Sequence, residues 1–277
     1  MRPPPQQVVA DDVRRALQED LGAGDCTASL VPEKNRLQTR IICRDHAVLC
    51  GRPWVEQTFR QLDAGITISW QINDGDTMNP DQEICQLQGP ARSILSGERT
   101  ALNFLQTLSG TATCARRYTE AVAGTGAIIL DTRKTVPGLR MAQKYAVRCG
   151  GASNHRVGLF DAILIKENHI SAAGSITAAV KAALHLYPGL LLEVEVENLE
   201  QLEEAEAAGA QRVLLDNFSI VDLKTAVSRF KDRIGLEASG GINLETIRAV
   251  ADTGVDFIST GDITKSVRAV DFSMRFV

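Results

Sequence analysis

A chain of 277 residues, 44% hydrophobic and 23% charged, has the make-up of a globular protein with a sizeable core. Its formal net charge of −4 argues against nucleic acid as the main partner, since such binders carry a basic surface. The six cysteines are scattered with no C-x-x-C pair, which argues against a disulfide framework and a zinc site and fits free thiols in a reducing compartment.

In chain order, MRPPPQQ lacks the apolar core of a signal peptide, and no later run approaches ~18 apolar residues, so a cytoplasmic protein with no membrane partner is expected. DDVRRALQEDLGAG predicts a helix stopped by glycine, with Val13, Ala16, Leu17 and Leu21 on one face. LQTRIICR and ITISWQI predict short strands, bounded by turn signals such as NDGD and NP after the second. SILSGERTALNFLQTLSG predicts a long helix with Leu95, Leu102, Leu105 and Leu108 on its apolar side and Ser96, Arg99, Asn103 and Gln106 opposite. Mixed elements without a repeat predict a small α+β domain over residues 1–115.

From about residue 127 a repeat sets in. The apolar runs AIILDTRK, DAILIKEN, LLLEVEVEN, RVLLDNF, GLEASGG and DFISTGD each end in polar or glycine residues. Their landmarks Arg133, Lys166, Glu195, Asp216, Ser239 and Gly261 follow one another at intervals of 21 to 33 residues, the spacing of βα units in a parallel sheet. VENLEQLEEAEAAGA and NLETIRAVADTG are expected crossover helices ending at glycine. No G-x-G-x-x-G follows the first run, and chemistry-bearing residues occur at every strand end, so the pattern favours an α/β barrel over a doubly wound sheet. Six runs fall short of eight: either a seventh lies in less regular sequence or the barrel is incomplete. The barrel is expected over residues 116–265, with 266–277 returning to the first domain.

In a β/α barrel the strand ends meet on one face. There Arg133, Lys134, Lys166, Glu195, Asp216, Ser239-Gly240-Gly241 and Gly261 would gather three cations, two acids and two glycine turns. SGGIN and STGD can offer backbone N–H groups to a phosphate. Glu195 and Asp216 can share Mg²⁺ or hold ribose hydroxyls. Arg133, Lys134, Arg156 and Lys166 would balance carboxylates or a pyrophosphate. Glu193 is expected to be a buried partner of a barrel lysine. Residues 132–156 hold six lysines and arginines plus His155 and no acid; Arg140, Lys144 and Arg148 are spaced by four, which one exposed helical face explains as well as a ligand does. A lone His155 and a lone Arg99 also fit plain structural and solvated roles. The inferred ligand is a phosphosugar with a metal, beside a multiply charged anion.

These residues resemble the quinolinate phosphoribosyltransferase family almost end to end, through DLGAGDCT, LCGRPW, GPARSILSGERTALNFLQTLSGTAT, DTRKTVPGLR, NHRVGLFDAILIKENH, EVEVEN, LLDN, EASGGIN and STGD. The resemblance implies a small domain beside an open, seven-stranded β/α barrel, in a homodimer or higher homo-oligomer where Arg99 reaches the neighbouring site. It implies a pentosyltransferase that joins quinolinate and phosphoribosyl pyrophosphate with loss of CO₂ for NAD biosynthesis, using Mg²⁺ and no organic cofactor. By resemblance, Arg99, Arg133, His155, Arg156 and Lys166 hold quinolinate's carboxylates, and Lys134 and Lys166 lie near the pyrophosphate. Glu195 and Asp216 take ribose hydroxyls and Mg²⁺, and Ser239, Gly240 and Gly261 fall at the 5′-phosphate, beside Gly241 of the same turn. Ala152, Asp262 and Lys265 depart from the family pattern. Transfer to nicotinate or another ring acid, a Schiff-base aldolase built on Lys166, and a catalytically silent phosphosugar-binding protein are the rival readings.

Overall fold

The structure is a computed structural model describing residues 2–277, and it divides into two units. The first comprises the residues up to Arg116, Thr135–Gly151 and Ile263–Val277; the second comprises Arg117–Lys134 and Ala152–Asp262.

The first unit is built on a four-stranded antiparallel sheet in the order Phe272–Phe276, Arg36–Cys43, Glu83–Pro90, Thr67–Trp70. Ile41 and Leu87 point from it into a core shared with Phe59 and with Leu102 and Leu105 of the long helix Ala91–Ala121. Arg99 is exposed on that helix, as its polar face predicts. The predicted first helix spans Gln6–Leu21, buries Val13 and Leu17, and stops at Gly22. Helix Arg140–Cys149 also belongs here, and its lysine corrects the reading of an exposed basic face. Lys144 is only 2% exposed, because the side of the helix that carries it is buried along with Tyr145 and Ala146. Spacing by four reports a shared side of the helix, not whether that side meets water.

In the second unit all six apolar runs are parallel strands: β1 (Ile128–Leu130), β2 (Ile163–Ile165), β3 (Leu192–Val196), β4 (Arg212–Asp216), β5 (Gly235–Ser239) and β6 (Phe257–Ser259). They run in the order β1-β6-β5-β4-β3-β2. The first strand pairs with the last, Ile128 opposite Phe257, which is how a barrel winds. A lone parallel bridge between Leu130 and Ser153 is the remnant of a seventh strand beyond β1. The result is an open β/α barrel. Val194, Val213, Leu215, Leu236 and Ile258 are fully buried, as parallel strands covered on both faces require. Crossover helices Leu199–Ala208 and Ile247–Ala251 occupy the expected segments, the first closing on left-handed Gly209. Among the described residues no helix is long and apolar enough to cross a membrane.

Candidate active site

Register sets the height of each side chain. Asp216 pairs with Ser239 at the ends of β4 and β5, and Glu195, opposite Leu214, lies one residue before the end of β3. Lys166 follows β2, Arg133 and Lys134 follow β1, and Gly261 follows β6. The carboxyl ends of all six strands thus bring together the predicted residues of this unit. A Cβ on Gly261 would sit 2.9 Å from Lys134 Cδ, so the lysine side chain packs close against this glycine.

One half of the site is acidic. Lys166 forms an ion pair with Glu195, with 43% of the lysine side chain exposed and 22% of the glutamate's. Asp216 has its carboxyl raised above the ordinary range, first by burial and then by the charge of Glu195, against the pull of Lys166 and Lys134. Two carboxylates repelling each other in this way form a hard-oxygen pair suited to a divalent cation. Asn217, in the left-handed region at φ 57°, donates through Nδ2 to Asp216 Oδ2 (2.9 Å) and through its backbone N–H to Ser239 O (2.9 Å). The turn after β5 needs its glycines: Gly240 has φ +101° and Gly241 φ +60°.

The other half is cationic. Arg156 has its guanidinium pushed down, first by burial and then by the neighbouring charge of Arg133. Both are half-buried, while Lys134 is exposed. The segment carrying Arg156 hangs on Asp131, a fully buried carboxylate at the end of β1. Asp131 accepts from the Asn154 side chain (2.7 Å) and the His155 backbone N–H (2.8 Å). Asp161 then accepts from the N–H groups of Val157 and Gly158 (2.7 and 2.8 Å).

The ring of His155, a carboxylate ligand by resemblance, is held by the chain itself. Its Nδ1 accepts the Arg156 backbone N–H at 2.8 Å, and its Nε2 lies 2.8 Å from Glu193 Oε2. Both ring nitrogens are therefore engaged within the chain. Glu193 is buried as expected, but its partner is this histidine; the barrel lysine takes Glu195. Asp131, Asn154, Asn217 and Glu237 escaped the sequence reading. A visible signal existed for Glu237, an acid enclosed in the apolar strand Leu236-Glu237-Ala238, the same pattern that flagged Glu193.

The departures also find places. Asp262 accepts from Tyr118 Oη at 2.8 Å, which gives its carboxylate a partner within the chain. Ala152 is buried and does not lie in the left-handed region, so no glycine is needed there. Lys265 is exposed.

Comparison with known proteins fits this geometry. Residues 111–275 match the family profile described as quinolinate phosphoribosyl transferase, C-terminal domain, and residues 25–109 match that of the N-terminal domain. The chain belongs to the quinolinate phosphoribosyltransferase family. It is 42% identical to the probable nicotinate-nucleotide pyrophosphorylase (carboxylating) of Bacillus subtilis, over 92% of this chain and 89% of that one. Identity to the Mycobacterium leprae nicotinate-nucleotide pyrophosphorylase (carboxylating) is 41%, over 95% of each. The nicotinate-nucleotide pyrophosphorylase structure from Francisella tularensis superposes with a TM-score of 0.95 at 46% identity, covering 99% of this chain and 97% of that one. Human nicotinic acid phosphoribosyltransferase shares the fold alone, at 13% identity and a TM-score of 0.67.

Proposed function

We propose that this protein transfers the phosphoribosyl group of phosphoribosyl pyrophosphate to quinolinate, releasing pyrophosphate and CO₂ and forming nicotinate mononucleotide, a step of NAD biosynthesis. The observation that carries this reading is the pairing of Arg133 with Arg156. Two half-buried guanidiniums close enough to interact, their charge partly offset by Glu193, Asp161 and Glu195, suit a ligand with adjacent negative charges, and a pyridine dicarboxylate is one. Arg133, Arg156 and Lys166 hold its two carboxylates, with His155 acting through Arg156. Arg99 of a second copy completes this subsite in a homodimer. Backbone N–H groups of Ser239, Gly240, Gly241 and Gly261 receive the 5′-phosphate. Glu195 and Asp216 take the ribose hydroxyls and would hold Mg²⁺, whose charge supports the leaving pyrophosphate.

The chemistry needs no covalent enzyme intermediate. The pyridine nitrogen attacks the anomeric carbon as its bond to the pyrophosphate oxygen breaks. Positive charge developing on the ribose is stabilised by Glu195 and Asp216, and negative charge on the departing oxygen by Lys134 and Lys166. Holding the ring in line is the arginines' part, an effect worth up to ~7–11 kcal/mol. The carboxyl next to the quaternised nitrogen then leaves as CO₂. Its bonding electron pair remains on the ring carbon beside N⁺ and takes up a proton.

The test incubates the protein with Mg²⁺, phosphoribosyl pyrophosphate and carboxyl-labelled quinolinate, with nicotinate in parallel. Labelled CO₂ and nicotinate mononucleotide from quinolinate alone are expected. Turnover of nicotinate alone would overturn the dicarboxylate assignment, and a borohydride-trapped adduct on Lys166 would point to the aldolase.

A further inference from the structure

Two buried acids, Glu193 and Glu237, take no direct part in the transfer steps. Glu193 on β3 and Glu237 on β5 are 1% and 0% exposed. Their carboxyls face one another within hydrogen-bonding range, and together with His155 they present three ligand atoms within 4.8 Å. Oε2 of Glu193 takes His155 Nε2 at 2.8 Å, and Oε2 of Glu237 takes Arg212 Nη1 at 3.3 Å. The Oε1 atoms of both are buried without a well-formed hydrogen bond among the described residues; His155 Nε2 stands 3.5 Å from Glu237 Oε1, and the Ser259 hydroxyl also faces the Glu237 carboxyl.

Two ionised carboxylates cannot face each other in a dry strand interior, and an orphaned acceptor there costs roughly 1–3 kcal/mol. One proton shared between the two carboxyls removes both problems. The histidine is fixed by a separate constraint. Nδ1 accepts the Arg156 N–H, so it carries no proton, and the single ring proton sits on Nε2 facing Glu193. Neutral His155, protonated Glu237, anionic Glu193 and cationic Arg212 then sum to zero charge. Arg212 is itself held by the Phe257 ring, 3.9 Å from its guanidinium carbon to the ring centroid.

We propose that Glu237 donates a hydrogen bond to Glu193 as a neutral carboxylic acid, and that this pair locks His155 as the neutral Nε2–H tautomer that positions Arg156 for the ring acid. Glu237 and His155 are positioning residues. The proposal deepens the quinolinate reading and rests on it for the identity of the ring acid. The groups facing Glu237 are Glu193 from β3, Arg212 from β4, Ser259 from β6 and His155, with Arg156 and Lys166 acting on its partner Glu193. Burial and the charge of Glu193 push Glu237 up to about 7.

The test compares Glu237→Gln and Glu237→Leu with the parent protein. A glutamine amide supplies the same donor to Glu193 and the same acceptor to Arg212, and it does not titrate. E237Q is expected to keep kcat and the quinolinate KM within about twofold at pH 6, while E237L raises that KM by roughly tenfold or more. Between pH 6 and pH 8 the parent's quinolinate KM rises by roughly tenfold, as the protonated fraction of Glu237 drops to about a tenth, whereas E237Q stays flat. Nitrogen-15 spectra of the four histidines, with His155→Gln to assign the signal, are expected to show a neutral Nε2–H ring that E237Q preserves. This spectrum needs no substrate, so it tests the pair even if the enzymatic reading fails. An imidazolium signal, E237Q as impaired as E237L, or a stoichiometric transition metal that E237Q loses would each overturn the proposal.

Discussion

The two glycines after β5 make a sharp pair of tests. At Gly240 an alanine would hold φ +101°, and its Cβ would sit 2.2 Å from Asn217 Oδ1 and 2.8 Å from Asn217 N. That backbone conformation costs a side-chain-bearing residue about 1–3 kcal/mol. Moving Asn217 aside also disturbs its 2.9 Å bonds to Asp216 and Ser239, worth about 1 kcal/mol in net terms. Gly240→Ala should therefore destabilise the protein by about 3 kcal/mol. Gly241 has φ +60°, and a Cβ there would meet nothing within 4 Å, so Gly241→Ala should cost only about 1 kcal/mol. Because Asn217 orients Asp216, Gly240→Ala should also lower kcat/KM for phosphoribosyl pyrophosphate by roughly 100-fold, the scale of a 1 Å misplacement. Urea unfolding and steady-state kinetics measure both quantities. Equal destabilisation by the two variants, or an unchanged kcat/KM in Gly240→Ala, would refute the account of this turn.

Three further outcomes follow from the site. Arg156→Ala should raise the quinolinate KM by roughly 100-fold while leaving the phosphoribosyl pyrophosphate KM within about threefold, since it removes charge-assisted contacts to the ring acid alone. Lys166→Met breaks a solvent-accessible ion pair, so unfolding free energy should change by less than about 1 kcal/mol; turnover should fall by at least ~100-fold, read from melting curves beside activity. Glu237 holds its proton more tightly folded than unfolded, about 7 against an ordinary 4.5, so its contribution to stability is present below pH 4.5 and is lost as pH rises through 7. Relative to the parent, Glu237→Gln should thus gain up to about 3 kcal/mol between pH 4.5 and pH 8 in urea titrations.

The strand-end residues were legible because parallel strands bury both faces. An apolar run that stops at Lys166 or Asp216 therefore marks a point where the chain leaves the core. Glu193 stood out for the same reason, but its partner did not, since which residue crosses the barrel interior depends on register between strands distant in sequence. The seventh strand left no run to read because it is reduced to the Leu130–Ser153 bridge. Lys144 misled because periodicity locates a helix face without telling what covers it. Of the cations between residues 132 and 156, Arg133, Lys134 and Arg156 lie in the barrel unit, whereas Arg140, Lys144 and Arg148 lie in the other, a division invisible in composition. Glycine at 240 and 241 reads in the sequence as a phosphate signal; the positive φ values supply a conformational reason for the same residues.

The strand Phe272–Phe276 has a consequence for anyone dissecting this chain. It forms the border of the first unit's sheet, paired antiparallel along Arg36–Cys43 from Thr39–Phe276 to Cys43–Phe272. Ending the chain before it would strip a row of backbone N–H and C=O groups on Arg36–Cys43 of their partners and leave a template for strand addition by other molecules. A fragment comprising the first 116 residues alone should therefore be sticky, and adding the last fifteen as a separate peptide should restore its solubility. Both units are interleaved in sequence, so exchanging either one with a relative requires several joints instead of a single splice.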